Sequence, residues 1–284
     1  TPRPWCSELT AMNEHVLPDS ADELLQRLQR FHADYFPLHQ QRFQDLVAQG
    51  QHPKTLFIGC SDSRLVPYLL TGTGPGELFI VRNVGALVPP FDGSHGLHGT
   101  MAGIEFAVLQ LHVQRIIVCG HSHCGAIRTA YEGAPEEAKA LQSWLKLADE
   151  ALLPVRPSPE ALLRTEQRSV VLQLERLMDY PMVRRAVEAG HLSLHGWHYV
   201  IETGQVHVFD AALGAFVPAA EAAHSVVAAT GFDGVAAGAA VDHLRAAIAL
   251  LHQAAQIGRR QDGYHPRHRG GIAGIKRGDP PRAI

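Results

Sequence analysis

The sequence predicts an α/β fold, a mainly parallel central β-sheet flanked by helices and preceded by an N-terminal helical arm. Three observations carry that expectation. Residues 55–60, 78–81 and 115–120 are short apolar runs bounded by turn residues, the pattern of strands buried on both faces. Residues 100–111 between the last two place Met101, Ile104, Ala107, Val108 and Leu111 on one side of a helix, and strand, helix, strand alternation implies right-handed crossovers and parallel pairing. Two of the runs end in metal-competent side chains, Cys60-Ser61-Asp62-Ser63-Arg64 and His121-Ser122-His123-Cys124. Open α/β sheets gather their ligands at that carboxyl edge.

Taken in order, residues 1–20 carry three prolines and no periodicity, so they form an arm free to pack on another subunit. Asp19 or Ser20 can cap a helix over residues 21–30, and residues 35–49 form a second amphipathic segment through Phe36, Leu38, Phe43, Leu46 and Val47. Gly50 and Pro53 end it. After the first strand, residues 65–70 make one or two helical turns. The glycine-rich residues 71–76 lack a following Gly-Lys-Ser or Gly-Lys-Thr, so they are a turn rather than a phosphate loop. Pro89, Pro90 and residues 93–99 form a surface excursion. Cys124 and Gly125 open a helix to about Tyr131, which sets the second cluster at a helix N-terminus, where the dipole favours thiolate. Helices are expected over residues 134–153, 160–178 and 181–190, the last with proline at its favoured start. Residues 192–200 and 205–209, separated by Glu-Thr-Gly, read as a hairpin.

The chain divides into an arm and helices (residues 1–50, part of the main domain), an α/β core that carries both metal-competent turns (51–211) and an Ala-rich, basic extension (212–284) expected to be partly disordered. Its 284 residues suffice for one large α/β domain, and a net charge of -3 gives no partner signal. The distribution says more: residues 257–284 hold seven Lys or Arg against two Asp, a locally basic end. Four cysteines in a chain this long do not make a disulfide framework and fit a reducing, cytoplasmic setting. No apolar run of about 18 residues or charged-then-apolar leader is present, so neither a membrane span nor a signal peptide is expected. Aromatics are too sparse in the basic tail for nucleic-acid binding.

Cys60, His121 and Cys124 supply zinc's preferred sulfur and nitrogen donors, and Asp62 supplies a fourth ligand or a near neighbour. Cys60 and Asp62 can face one point, as can His121 and Cys124 three residues apart. Either pair alone is weak, but two pairs at the ends of two buried strands are a strong signal. Cys119, inside a strand, reads as a structural thiol and Cys6 as incidental. His123 is open as a surface residue or a proton shuttle. Arg82 is either a structural cation or a pocket residue.

Residues 51–131 closely resemble the β-class carbonic anhydrases. Cys60, Asp62 and Arg64 followed by His121 and Cys124 match that family's zinc signature. Arg82, Asn83, Pro89, Pro90, Ile104 and Glu105 fall in its intervening stretch, and weaker likeness runs through His195, Gly196 and Trp197 to about Val208. The likeness is greatest to bacterial and cyanobacterial members with a C-terminal extension. It implies one Zn2+ per chain and reversible hydration of CO2 to bicarbonate and a proton by a zinc-bound hydroxide. Asp62 then has two states: ligand of the closed site, or ion-paired with Arg64 in the open one, so the two form a gating dyad. Phe79, Val84 and Phe106 match the apolar substrate wall. Gln51 matches a polar residue facing substrate across a subunit boundary, and the Gly125 N–H helps hold substrate. Phe106 stands where many relatives carry Tyr. Phe57 replaces the Trp of a regulatory bicarbonate pocket, which argues against that regulation.

The resemblance also implies a homodimer or higher even oligomer. The tail has two readings, a solvated end or a docking segment for a scaffold partner such as a carboxysome shell or core protein, which would place the enzyme there. Rival functions are CS2 or COS hydrolysis on the same fold, and a zinc-stabilised recruitment protein acting through its tail.

Overall fold

The computed structural model describes residues 23–93 and 96–222. The proposed cap at Asp19 or Ser20, Cys6, and most of the extension lie outside them. Six strands form one sheet in the order β2-β1-β3-β4-β5-β6: β1 (Thr55–Cys60), β2 (Leu78–Asn83), β3 (Arg115–His121), β4 (Ser193–Val200), β5 (Gln205–Asp210) and β6 (Ala215–Pro218). The first four are mutually parallel and the last two pairings are antiparallel. The helices are α1 (Glu23–Arg30), α2 (Phe36–Gln49), α3 (Pro67–Thr71), α4 (Gly99–Glu105), α5 (Gly125–Glu132), α6 (Lys139–Leu145), α7 (Pro159–Asp179) and α8 (Pro181–Glu188).

Alternation along the central strands separates two cores. Leu56, Ile58, Ile116 and Val118 face one side, packed with Ile104 of α4, Val170 and Leu174 of α7 and Val183 of α8. Phe57, Ile117 and Cys119 face the other, with Ile127 of α5 and Leu145 of α6. All six β1 residues are buried, as expected for a strand covered on both faces. Each fully buried Leu, Ile or Phe stabilises the fold by about 1.5–3 kcal/mol. Phe57 is wholly buried and meets Trp197 edge-on at 6.3 Å.

Several elements depart from the sequence expectation. The two arm helices are one rod over residues 23–49, joined through a π-helical turn at Phe31–Tyr35 rather than separated. The helix expected over residues 100–111 is α4 followed by a π-helical turn at Phe106–Gln110. The single helix expected over residues 134–153 is corrected to α6 plus a 3-10 turn, Lys146–Ala151. Gly133, at φ +91°, leaves the helical region after α5, and Pro135 restricts the residue before it to extended backbone. The hairpin is β4-β5, and β6, which the sequence reading did not assign, carries the sheet beyond residue 211.

Helix α7 also carries a pH-sensitive carboxyl. Burial, reinforced by Glu150 and Asp179 and opposed by Arg176 and Arg168, raises Glu175 from 4.5 to about 7. The folded chain therefore binds this proton more tightly than the unfolded one, and stability falls as pH rises from about 4.5 to about 7. Glu175→Gln is expected to add about 1–2 kcal/mol at pH 8, after allowance for solvent screening, and little near pH 4. Urea unfolding at the two pH values checks this; equal effects at both would contradict the assignment.

Candidate metal centre

β1 and β3 are paired neighbours, so the turns that follow them leave the same edge of the sheet side by side. Cys60 ends β1, His121 ends β3, and Cys124 is the residue before α5. One ligand atom from each of the three lies within 4.8 Å of the others, and all three residues are buried. Cys119 points into the core instead, wholly buried, and burial pushes its thiol up.

The donors are prepared for a cation. His121 Nδ1 donates to the Ser122 carbonyl at 2.8 Å, which orients the ring and, in its neutral form, fixes the tautomer that leaves the Nε2 lone pair for a ligand. That Nε2 is buried and has no hydrogen-bond partner. A proton shared with Cys124, against burial and assisted by His121, Asp62 and the Gly85 N–H, lowers Cys60 from 9.0 to about 4. The same contact and burial push Cys124 up, although the Ala126 and Ile127 N–H groups at the start of α5 pull it down. Without a cation the thiol pair carries one negative charge, whereas a dication lets both ionise. Two thiols and an imidazole with its free nitrogen aimed between them fit zinc.

Asp62 lies outside this trio. Its Oδ1 accepts from Arg64 Nε at 2.9 Å and the Arg64 N–H at 3.0 Å, and its Oδ2 accepts from Arg64 Nη2 at 2.7 Å. The Arg64 guanidinium therefore holds the Asp62 carboxyl well below its usual range. Asp62 Oδ2 stands 3.8 Å from His121 Nε2, so the carboxylate lies next to the trio while bonded to Arg64. Arg64 also donates to the His123 carbonyl at 3.1 Å, which ties the two turns together. Arg82 donates to the Cys60 carbonyl from Nε and Nη2, and to the Asp62 carbonyl at 2.7 Å. It is thus a brace for the upstream turn.

Of the remaining sequence candidates, Val84 and Gly125 lie near these turns, whereas Phe79 pairs with Leu56 at the start of β1 and Gln51 precedes that strand, so this chain does not bring Phe79 or Gln51 to the exit where Cys60 sits. Phe79 stacks on Phe106 with centroids 5.7 Å apart. Phe106 and Val84 are 43% and 41% exposed. A cleft of about 830 Å3 lined by Ser61, Arg82, Asn83, Val84, Leu97 and Trp144 opens at the end of β2. Gly125 starts α5, and a Cβ there would meet nothing within 4 Å. Gln51 is exposed just beyond α2.

Three polar supports were missed from sequence: Glu202, Glu166 and His198. The exposed His123 ring faces Glu202 at 2.6 Å, and Glu202 accepts from Ser122 Oγ at 2.5 Å; Glu202 looked like a turn residue. Glu166 and His198 are buried behind Cys124. Glu166 lies four and eight residues before Val170 and Leu174 on the buried stripe of α7, a helical periodicity that could have flagged it.

The family model for carbonic anhydrase matches residues 55–206. The chain is 41% identical over 208 residues to a carbonic anhydrase of Pseudomonas aeruginosa, covering 71% of this chain and 92% of that protein. It is 38% identical over 202 residues to one of Synechocystis, covering 68% and 73%. Among solved structures, the β-carbonic anhydrase CcaA aligns at a TM-score of 0.66 and 36% identity, over 69% of this chain and 91% of that one. A tetrameric β-carbonic anhydrase of Sordaria macrospora aligns at 0.57 and 30%, over 68% and 96%. With its parallel sheet and its Cys60, His121 and Cys124 trio, the chain belongs to the carbonic anhydrase family, in the β class, whose members are lyases that hydrate CO2.

Proposed function

We propose that the chain is a zinc enzyme for the reversible hydration of CO2 to bicarbonate and a proton, with Cys60, His121 and Cys124 holding one ion and Asp62 and Arg64 acting as a gating dyad. The carrying observation is the convergence of three buried donors on one point while Asp62 is engaged by Arg64. Zinc, when bound, supplies a water acidic enough to be a nucleophile near neutral pH. Asp62, kept ionised by Arg64, can only accept a hydrogen bond from that nucleophile, which turns its lone pair toward CO2. Release of Asp62 by Arg64 would let the carboxylate take the ion and shut the site. Phe79, Val84 and Phe106 are the apolar wall of this reading and suit an apolar substrate, with the Gly125 N–H and Gln51, reaching across a subunit boundary, as its polar contacts.

The arm supports the reading of a homodimer or higher even oligomer. Residues 23–49 contribute no buried side chain, yet Leu24, Leu28, Leu38 and Val47 are all at least 64% exposed. Such a rod needs a partner surface. Among the described residues no helix is long and apolar enough to cross a membrane. A cytoplasmic enzyme, with the carboxysome as the alternative location, is the setting proposed. Deleting residues 259–284 is expected to leave kcat/KM for CO2 within about twofold of the full chain, since the site is built from β1, β3 and their turns. Retained catalysis with lost localisation would identify the tail as a scaffold-docking segment.

Stopped-flow hydration of CO2, run beside CS2 and COS hydrolysis, tests the activity. A chelator-sensitive CO2 rate well above buffer is expected. Turnover of CS2 or COS with none of CO2 would sink the proposal in favour of the hydrolase, and turnover of none of the three would favour the recruitment protein.

A further inference from the structure

Helix α7 crosses β3 and β4 where both carry glycine. A Cβ at Gly120 would stand 2.7 Å from Val170 Cγ2, and one at Gly196 would stand 3.0 Å from both Leu174 Cδ1 and Val170 Cγ1. The two glycines thus let the helix lie close on the sheet, which brings Glu166, one turn before Val170, to the level of the β3 exit. The Glu166 side chain is 3% exposed and that of His198 is 0%. Glu166 Oε1 accepts the Cys124 N–H at 3.0 Å, and its Oε2 lies 3.2 Å from His198 Nε2. His198 stands on β4 in register with Gly120, and its Nδ1 has no hydrogen-bond partner.

A buried carboxyl group is costly, and apolar residues of similar volume often serve stability as well or better. The pair therefore needs an explanation in what it holds. Cys124 directs its sulfur toward Cys60 and His121. Its backbone N–H is held from the helix side by Glu166. The rest of the turn is fixed in the same manner: the Ser122 N–H donates to the Tyr199 carbonyl at 2.8 Å, and the His123 carbonyl accepts from Arg64. Removing Glu166 would take away the hydrogen-bond acceptor of the Cys124 N–H.

We propose that Glu166, oriented by His198, is a positioning residue that fixes the Cys124 backbone so that its sulfur meets the metal. This rests on the zinc reading above and adds the group that sets one ligand's direction. Outer partners of metal ligands commonly govern about 10–100-fold in metal affinity.

Cobalt(II) substituted into the full chain separates the two ideas. The wild-type protein should take up one Co2+ per chain with a thiolate-to-cobalt charge-transfer band; lack of that band overturns the zinc reading whatever Glu166 does. Glu166→Met, which keeps volume and removes the acceptor, is expected to release cobalt to a chelator about tenfold faster or more and to shift the ligand-field bands. Glu166→Gln, which keeps an acceptor, should stay within about threefold of wild type. Wild-type bands and release in Glu166→Met would overturn the proposal, as would equal loss in Glu166→Gln, which would assign the effect to charge instead of the acceptor. If Glu166→Met does not fold, His198→Asn gives the same answer: faster cobalt release supports the positioning pair, and wild-type release overturns it.

Discussion

Cys124→Ser is expected to lose zinc and activity together, with bound metal falling from one per chain to near zero and CO2 hydration falling to the buffer rate. The reason lies in the donor chemistry. A serine hydroxyl at this position does not ionise as a thiol does, and it is a harder donor than zinc prefers beside sulfur and imidazole. Among the described residues three donors converge, so with Cys124 removed two of the trio remain. Metal analysis of the purified variant with stopped-flow hydration checks both halves. Full zinc content with full activity would show that Cys124 is not a ligand.

Asp62→Asn is expected to separate the two properties, keeping zinc while kcat/KM falls by about 10²-fold or more. Asparagine is nearly isosteric and leaves Cys60, His121 and Cys124 untouched. Its amide presents a donor where the carboxylate presented an acceptor, and it cannot form the ion pair that Arg64 now makes through two oxygens. The nucleophile thereby loses the acceptor that orients it. Because Arg64 holds the Asp62 carboxyl below its usual range, Asp62 stays ionised throughout the neutral region. By the linkage sign, the stabilisation from this pair is present above about pH 4 and lost only as pH falls toward the lowered value. A rate limb between pH 6 and 9 in the wild type is accordingly expected to survive in Asp62→Asn at reduced height. Wild-type kinetics in this variant would remove the dyad from the account.

The ligands were legible in the sequence because each sits at the end of a short, strongly apolar run, and strand ends are where open sheets collect chemistry. Parallel pairing of β1 and β3 followed from the same runs. Other features depend on contacts that no local pattern encodes. The π-helical joint at Phe31–Tyr35 is a change of hydrogen-bond register within continuous helical sequence, so the two arm segments looked separate. β6 has four residues and ends in proline, too short for alternation to show. Glu202 reaches Ser122 and His123 across about eighty residues of chain, and the contact exists only because β4 lies beside β3. Glu166 was hidden differently: it occupies the buried stripe of α7, where a charged residue contradicts the apolar pattern and signals a fixed partner.

Titrating the metal-free chain with Zn2+ while following CO2 hydration tests the central claim most directly. Activity should rise linearly and break at one zinc per chain, and a chelator should return it to the buffer rate. Hydration by the metal-free protein, or one tightly bound zinc per chain with no hydration above buffer, would contradict the account.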